Sequence, residues 1–249
     1  MPPKGKSSYN GYFYETHLDE ALKSAREIVP LLIDLIDPKS VVDVGCGRGA
    51  WLKVFKENGV SKIYGIDGNW VKAKDLLIDK GEFSASDLKK PFCADEKFDL
   101  VVSLEVAEHL PCECAEQFVE SLAKCGPVIV FSAAIPLQWG TGHVNEQWPE
   151  YWAKLFRKNG YLPIDCIRKK IWNNKNVEYY YAQNIIIYAK KDAIYRNEKL
   201  RGEFEKGDCE VLPLVHPKKY LLLAKNMNKV VRLLPHPLLL RIRKHFKQD

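Results

Sequence analysis

The stretch VVDVGCGRGAW at residues 41–51 sets three glycines, Gly45, Gly47 and Gly49, directly behind a short β-branched run and ahead of a helical pattern. The run reads as a buried strand, and the glycines as a turn with little side chain in front of its carboxyl end. Strand, bare turn and helix N-terminus together cradle a ligand with backbone N–H groups at the carboxyl edge of an open α/β sheet. What the feature leaves unexplained is Asp43, a carboxylate inside an otherwise apolar strand.

Around this unit the chain alternates. SVVDVG, SKIYGID, FSASD, FDLVVSLE and PVIVFSA read as strands. Helices are expected over HLDEALKSAREIVPLLIDLI, with Asp19 as cap, from about Ala50 to Asn58, from about Trp70, from about Cys112, and over EQWPEYWAKLFRKNG. The alternation predicts a doubly wound, mostly parallel sheet. YLPIDCIRKKIW and YYYAQNIIIYAKK, separated by NNKN, are expected to close one edge as an antiparallel pair. With 249 residues at 46% hydrophobic composition, the chain suits one main core. The expected divisions are an N-terminal entry or lid helix over 1–38, a core over 39–191 and a basic extension over 192–249.

The net charge of +6 suggests nucleic acid until its distribution is followed. From Pro217 onward nine Lys or Arg face one acid, a net of +8, which leaves the preceding residues at −2. No nucleic-acid partner is therefore expected. The sequence has no long apolar span, and MPPKGKSSYNGYFYETH lacks a secretory-type stretch, so a cytoplasmic location is expected. Seven scattered cysteines suit reduced thiols, and the one close pair, Cys112 and Cys114, has no second pair with which to build a zinc site.

Asp67 ends the second strand about twenty residues after the glycine turn, where a carboxylate can accept both hydroxyls of a ribose. A nucleoside is the natural occupant. GCGRGA also satisfies a dinucleotide fingerprint, so the loop alone leaves NAD open. Further acids at successive strand ends, Asp87 in SASDL and Glu105 in SLEVAEHL, favour a cationic amino-acid nucleoside, S-adenosylmethionine (SAM). Tyr195 and Lys199, the one Tyr-x-x-x-Lys, lie beyond the last strand and are badly placed for hydride transfer.

VVDVGCGRGAW, YGIDG, SDL and FDLVVSLEVAEHL, taken in order, resemble the motifs of class I SAM-dependent methyltransferases over about Lys39 to Lys190. The resemblance implies a Rossmann-like seven-stranded sheet, mostly parallel, with an antiparallel edge hairpin and helices on both faces. It places Asp43, Gly45, Cys46 and Gly47 at the methionine end of SAM, and Asp67 with Gly68 at the ribose. Asp87 and the backbone of Leu88 would meet the adenine, and Glu105 would lie near the sulfonium. From the residues alone, Asp43 has a second reading as a group that orients the glycine loop, and Asp87 a second reading as a turn cap.

Transfer to a hydroxyl needs alignment and removal of a proton. After the fifth strand, QWGTGHVNEQW supplies His143, Asn145 and Glu146 among glycines and tryptophans. His143 beside a carboxylate is the expected general base, Glu146 its orienting partner, and His109 in EVAEHL the rival. Trp139, Trp148, Trp152 and Trp172, with Tyr179–Tyr181, read either as an aromatic platform for a sugar ring or, for the pair four apart, as one buried helix face. No spaced metal cluster is visible, so no metal is expected.

SAAIP, GTGHVNEQWPEYW, DCIRKKIWNN, NVEYYYAQN and VHPKKY further resemble a bacterial and viral methyltransferase group associated with polysaccharide loci, which implies a saccharide acceptor. Where that group often has GQGG, this chain has Leu137-Gln138-Trp139-Gly140. No DPPY-like tetrad follows the fourth strand, which argues against base-amine methylation of DNA. The other readings are O- or N-methylation of a small metabolite and SAM binding without catalysis. The leucine-rich basic tail can lie on an anionic membrane as a peripheral contact, or dock on the domain or on a second subunit to form a homodimer.

Overall fold

A computed structural model describes the backbone of residues 11–94, 96–207 and 213–233, and the side chains of these residues apart from 11–17 and 228–233. It falls into two compact units, divided between Leu214 and Val215.

In the first unit α1 (Gly11–Ile36) leads into β1 (Ser40–Val44), α2 (Ala50–Glu57), β2 (Lys62–Asp67), β3 (Phe83–Ala85), β4 (Leu100–Leu104) and α3 (Ala115–Cys125). There follow β5 (Val128–Ser132), α4 (Pro149–Lys158), β6 (Tyr161–Ile164), α5 (Arg168–Ile171), α6 (Tyr179–Asn184), β7 (Ile186–Lys190), α7 (Lys191–Arg196) and α8 (Glu198–Lys206). The strand order is β3-β2-β1-β4-β5-β7-β6. Five strands run parallel, β7 is antiparallel to both β5 and β6, and β1 lies at the centre of the parallel part.

Strand alternation sorts the core onto two faces. Val41, Leu100, Val102, Val130 and Ile187 pack with α1 and α2 residues such as Leu32 and Phe55. Val42, Val44, Val101, Ile129 and Tyr188 pack with Phe118 of α3 and with Trp152 and Phe156 of α4. Asp43 belongs by periodicity to the Val41 face, and it is 3% exposed. Every parallel strand thus runs its carboxyl end toward one edge of the sheet, where the glycine turn lies.

Several expected elements differ. α1 begins at Gly11, so Asp19 lies inside the helix rather than capping it. Ala25, Ile28, Val29 and Leu32 are fully buried, which makes that part of α1 a core layer and not a lid. No helix starts at Trp70; the β2–β3 connection holds two single 3-10 turns, Ala73–Asp75 and Lys80–Glu82. Arg48 is the reason: its Nε donates to the Asp75 carbonyl and its own carbonyl accepts from Leu77 N, so the backbone groups a helix needs are taken by the glycine loop.

The edge pair forms, with strands of four and five residues rather than two long runs. Arg168, 1% exposed, forks onto the Asp165 carboxylate and donates to the Gln183 carbonyl, and this buried ion pair ends β6 in a turn. The expected extension from residue 192 also shortens. Ile194 and Leu200 are buried in the core and Asn197 Nδ2 donates to the Leu35 carbonyl, so α7 and α8 belong to the first unit.

The second unit contains α9 (Pro217–Leu233), with exposed Tyr220, Leu221, Leu222 and Met227. Pro235, Pro237 and the last basic residues lie outside the described residues, as does Cys209. No described helix is long and apolar enough to cross a membrane. The six described cysteines are free thiols.

Candidate active site

The glycine turn is held from β2. Gly45 N and Cys46 N donate to the Ile66 carbonyl at 2.7 and 3.3 Å. Asp67 then takes two backbone donors, Gly47 N on Oδ2 and Gly68 N on Oδ1, both at 2.6 Å. Gly45 has φ 84°, and a Cβ there would lie 2.3 Å from Val106 Cγ2, so position 45 requires both the left-handed backbone and the missing side chain. In front of Gly47 the space is open: a Cβ would meet no atom within 4 Å.

Asp67 is close enough to Asp43 to add its negative charge to that carboxyl's surroundings. Burial first, then the Asp67 charge, hold the Asp43 carboxyl well above its usual range. Its Oδ2 is buried and has no hydrogen-bond partner. Burial also pushes the Asp67 carboxyl up, against the pull of its two backbone donors, and drives the Cys46 thiol far up, with the two aspartates adding to that effect. Asp87 is exposed and accepts from Lys89 N at 3.1 Å, the geometry of a turn cap, while Leu88 beside it is buried. Trp70, largely exposed, lays its ring where a Cβ on Gly68 would be, next to Asp67.

Beyond β4 the backbone strains into a second cluster. Glu105 has φ 55°, a left-handed conformation uncommon for a residue with a side chain. Its N donates to Ser132 at the end of β5. Its carboxylate accepts from Gln138 Nε2 at 2.7 Å and from Asn184 Nδ2 at 3.0 Å. Gln183 Nε2 bonds Gln138 Oε1 at 3.1 Å and so completes the amide shell. Burial raises the Glu105 carboxyl, and these amide bonds oppose the rise.

One turn later the Glu108 side chain is fully buried, and neither carboxylate oxygen closes a hydrogen bond, although its own amide, that of Ala134 and the Glu105 carboxyl lie nearby. Burial, then the charge of Glu105, hold its carboxyl well above the usual range. The Glu108 carbonyl accepts from Val144 N and Asn145 N at 2.8 and 3.0 Å, which pins the loop after β5 to the segment after β4. That clamp brings His143 to His109, ring centroids 4.9 Å apart and nearly perpendicular. His143 Nδ1 lies 2.8 Å from Glu146 Oε1, and the same oxygen accepts from Trp139 N at 2.7 Å. With Nδ1–H given to Glu146, Nε2 is the nitrogen left for chemistry. The ring rests against Gly140, where a Cβ would come within 2.1 Å of Nε2. Burial, then the His143 charge, lower the His109 pKa.

Residues 14–169 match a family described as a methyltransferase domain. The chain belongs to that family. A probable tocopherol O-methyltransferase of Oryza sativa is 42% identical to this methyltransferase over 96 residues, which are 35% of this chain and 26% of that relative. The chain thus spans well under two thirds of the length of that curated relative. Its fold is shared with a magnesium protoporphyrin IX methyltransferase from Synechocystis solved with bound S-adenosylhomocysteine (SAH), at 18% identity and TM-score 0.53, covering 75% of this chain and 90% of that one. A SAM-bound amino pentose methyltransferase from Micromonospora echinaspora is similar at 13% identity and TM-score 0.53, covering 76% and 100%.

The residues present fit SAM, the cofactor that the resemblance of the sequence motifs implies. The open face at Gly47 admits a ligand against the main chain, and the unpartnered, buried Asp43 Oδ2 is an acceptor of the kind a cationic ligand satisfies. In this structure Asp67 ties the glycine loop, so the loop-orienting task considered for Asp43 belongs to Asp67. The tryptophans divide. Trp152 is buried against Phe131 and Tyr181 packs on Trp51, both as core, while Trp139 and Trp148 stay exposed beside the His143 loop.

Four participants escaped the sequence reading as site residues: Glu108, Gln138, Gln183 and Asn184. Glu108 stands three after Glu105 in a short turn, a spacing that puts two acids together. The adjacent Gln183-Asn184 at the end of α6 carried no local signal, because Asn184 meets Glu105, 79 residues away, and Gln183 meets Gln138, 45 residues away.

Proposed function

We propose that the protein transfers a methyl group from SAM to a hydroxyl of a sugar, with the acceptor lying across the ends of β4 and β5. The observation that carries this reading is the His143–Glu146 pair, an imidazole with its tautomer held by a carboxylate, at the carboxyl edge of the sheet that also bears the glycine cradle. Asp43 would face the positive end of the cofactor and Asp67 its ribose, while Gly45, Cys46, Gly47 and Gly68 present backbone. Asp87 and Leu88 would border the adenine. SAM supplies a methyl group on a sulfonium that leaves without further activation.

The rest falls to this chain. Glu105, locked by Gln138 and Asn184, offers a fixed negative charge beside the site. In the ion-free site His143 Nε2 would receive the hydroxyl proton, and Glu146 would stabilise the imidazolium; His109 lines the same opening. Trp139 and Trp148, exposed at 59% and 42%, flank the loop and are suited to the apolar face of a sugar ring. The amino pentose enzyme of similar fold supports a saccharide. A second reading has an observation of its own: Leu137 and Val144 extend the exposed tryptophans into an apolar rim, which suits a lipophilic alcohol or phenol such as the acceptor named for the tocopherol enzyme. Peripheral membrane contact through the basic tail and self-association remain proposals beside it, and the tail-deleted protein tests the first by liposome sedimentation.

An acceptor screen with labelled SAM, over methyl-free sugars and lipophilic phenols, separates the readings. Label in sugars that disappears in His143→Ala supports the first. Transfer to phenols alone replaces the sugar, and SAH binding with no transfer to any acceptor overturns the enzyme reading of the His143 site.

A further inference from the structure

Glu108, His109 and His143 each offer a ligand atom, and these atoms lie within 4.8 Å of one another. Two come from the turn after β4 and one from the loop after β5. They meet because the Glu108 carbonyl clamps Val144 and Asn145. We propose that these three side chains bind a divalent first-row transition cation, with Glu146 as the partner that orients His143.

Four features support it. The Glu108 side chain is fully buried while both its carboxylate oxygens lack a hydrogen-bond partner, and such a group is costly unless something satisfies it. Glu105 sits beside it with its oxygens already taken by the Gln138 and Asn184 amides, so it does not compete as a ligand. His143 gives Nδ1 to a carboxylate, the arrangement that fixes a metal-binding imidazole and leaves Nε2 for the ion. His109 and His143 are only partly buried, so the side of the cluster away from Glu108 is open to an exogenous oxygen.

The donor set selects the ion. Two imidazoles and one carboxylate suit iron, cobalt or zinc best and hold manganese more weakly, whereas magnesium and calcium prefer oxygen alone. One carboxylate leaves a bound dication with net positive charge, able to hold an acceptor hydroxyl and lower its pKa. For its use in catalysis the inference rests on the methyltransferase reading. With an ion bound, His143 Nε2 is a ligand and no longer the proton acceptor. The acceptor O–H then loses its proton to solvent, the oxygen bonds to the methyl carbon, and the carbon–sulfur bond breaks to leave SAH.

Manganese binding tests the site without activity. Mn²⁺ is titrated into metal-free protein and followed by loss of its free-ion electron paramagnetic resonance signal, a probe that the exposed thiols Cys93 and Cys112 hold poorly. One ion per chain is expected, with affinity at least tenfold weaker in Glu108→Gln and in His109→Ala. SAH binding is measured in parallel by calorimetry. No Mn²⁺ uptake up to about 1 mM, where only very weak sites remain, overturns the cation site, as does uptake unchanged in both variants. If SAH binds and Mn²⁺ does not, the cation inference fails alone; if Mn²⁺ binds and SAH does not, the methyltransferase reading fails and the cation site stands.

Discussion

Asp67 at the end of β2 and Glu105 just beyond β4 flank the central strand β1 on its two sides, and each is a desolvated carboxylate with both oxygens occupied. The partners differ in kind. Asp67 is held by main-chain N–H groups of Gly47 and Gly68, whereas Glu105 is held by side-chain amides of Gln138 and Asn184. Backbone donors come with the fold and are indifferent to substitution, so the half proposed for the cofactor is set once the strand and glycine turn form. The half proposed for the acceptor is assembled from three segments far apart in sequence, and single side chains decide its chemistry. A chain built this way can keep its methyl donor while its acceptor changes.

The sharpest way to break this division is to disable each half in turn. His143→Ala should lower turnover by about 10² to 10⁴-fold, the scale of general acid–base assistance, while SAH affinity by calorimetry stays within about threefold, a difference too small to mark a lost hydrogen bond. A matching collapse of SAH affinity would show that the halves are one unit. Next in size, Asp67→Ala removes a carboxylate that anchors the loop, and SAH should bind about 10 to 100-fold more weakly, as expected for lost charged hydrogen bonds; unaltered binding would remove Asp67 from the cofactor half.

Smaller effects test the amide shell and the rim. Gln138→Ala strips an amide from buried Glu105 and should destabilise the fold by about 1–3 kcal/mol, read by urea titration. Trp139→Ala should raise the acceptor KM about three to tenfold, in keeping with an aromatic contact of about 1 kcal/mol, with kcat held; a kcat effect alone would place Trp139 in the chemistry instead.

The smallest is a pH effect on Asp43. Its folded pKa lies above the unfolded value, so the folded state holds an extra proton, and stability from this group is lost as pH rises from the ordinary aspartate range toward the folded value. Asp43→Asn should therefore melt at the same temperature as wild type at about pH 3.5 and a few degrees higher near neutrality, a shift of the size single groups produce. It should also bind SAH more weakly. A constant gap across pH would mean that Asp43 carries no raised pKa.

Much of the fold was legible because its signals are local. Strand periodicity, the glycine run and Asp67 one strand later need only neighbouring residues, and the seven-stranded sheet with its antiparallel edge follows. The pairing of His143 with Glu146 was also legible, being three residues apart in one loop. The helix expected from Trp70 failed because Arg48, in a different element, captures that segment's backbone. The platform of four tryptophans failed in part because burial of Trp152 is decided by Phe131 on β5.

By itself the chain's order of residues determined a strand, a glycine-rich turn and a carboxylate at the end of the next strand, since backbone geometry at glycine and alternation along a strand are properties of a few consecutive residues. Only the tertiary structure decided that Glu108 is buried without a partner, that His109 faces His143, and that Gln138 and Asn184 converge on Glu105. Those contacts join segments dozens of residues apart, and they exist because parallel strands deliver every loop to one edge of the sheet.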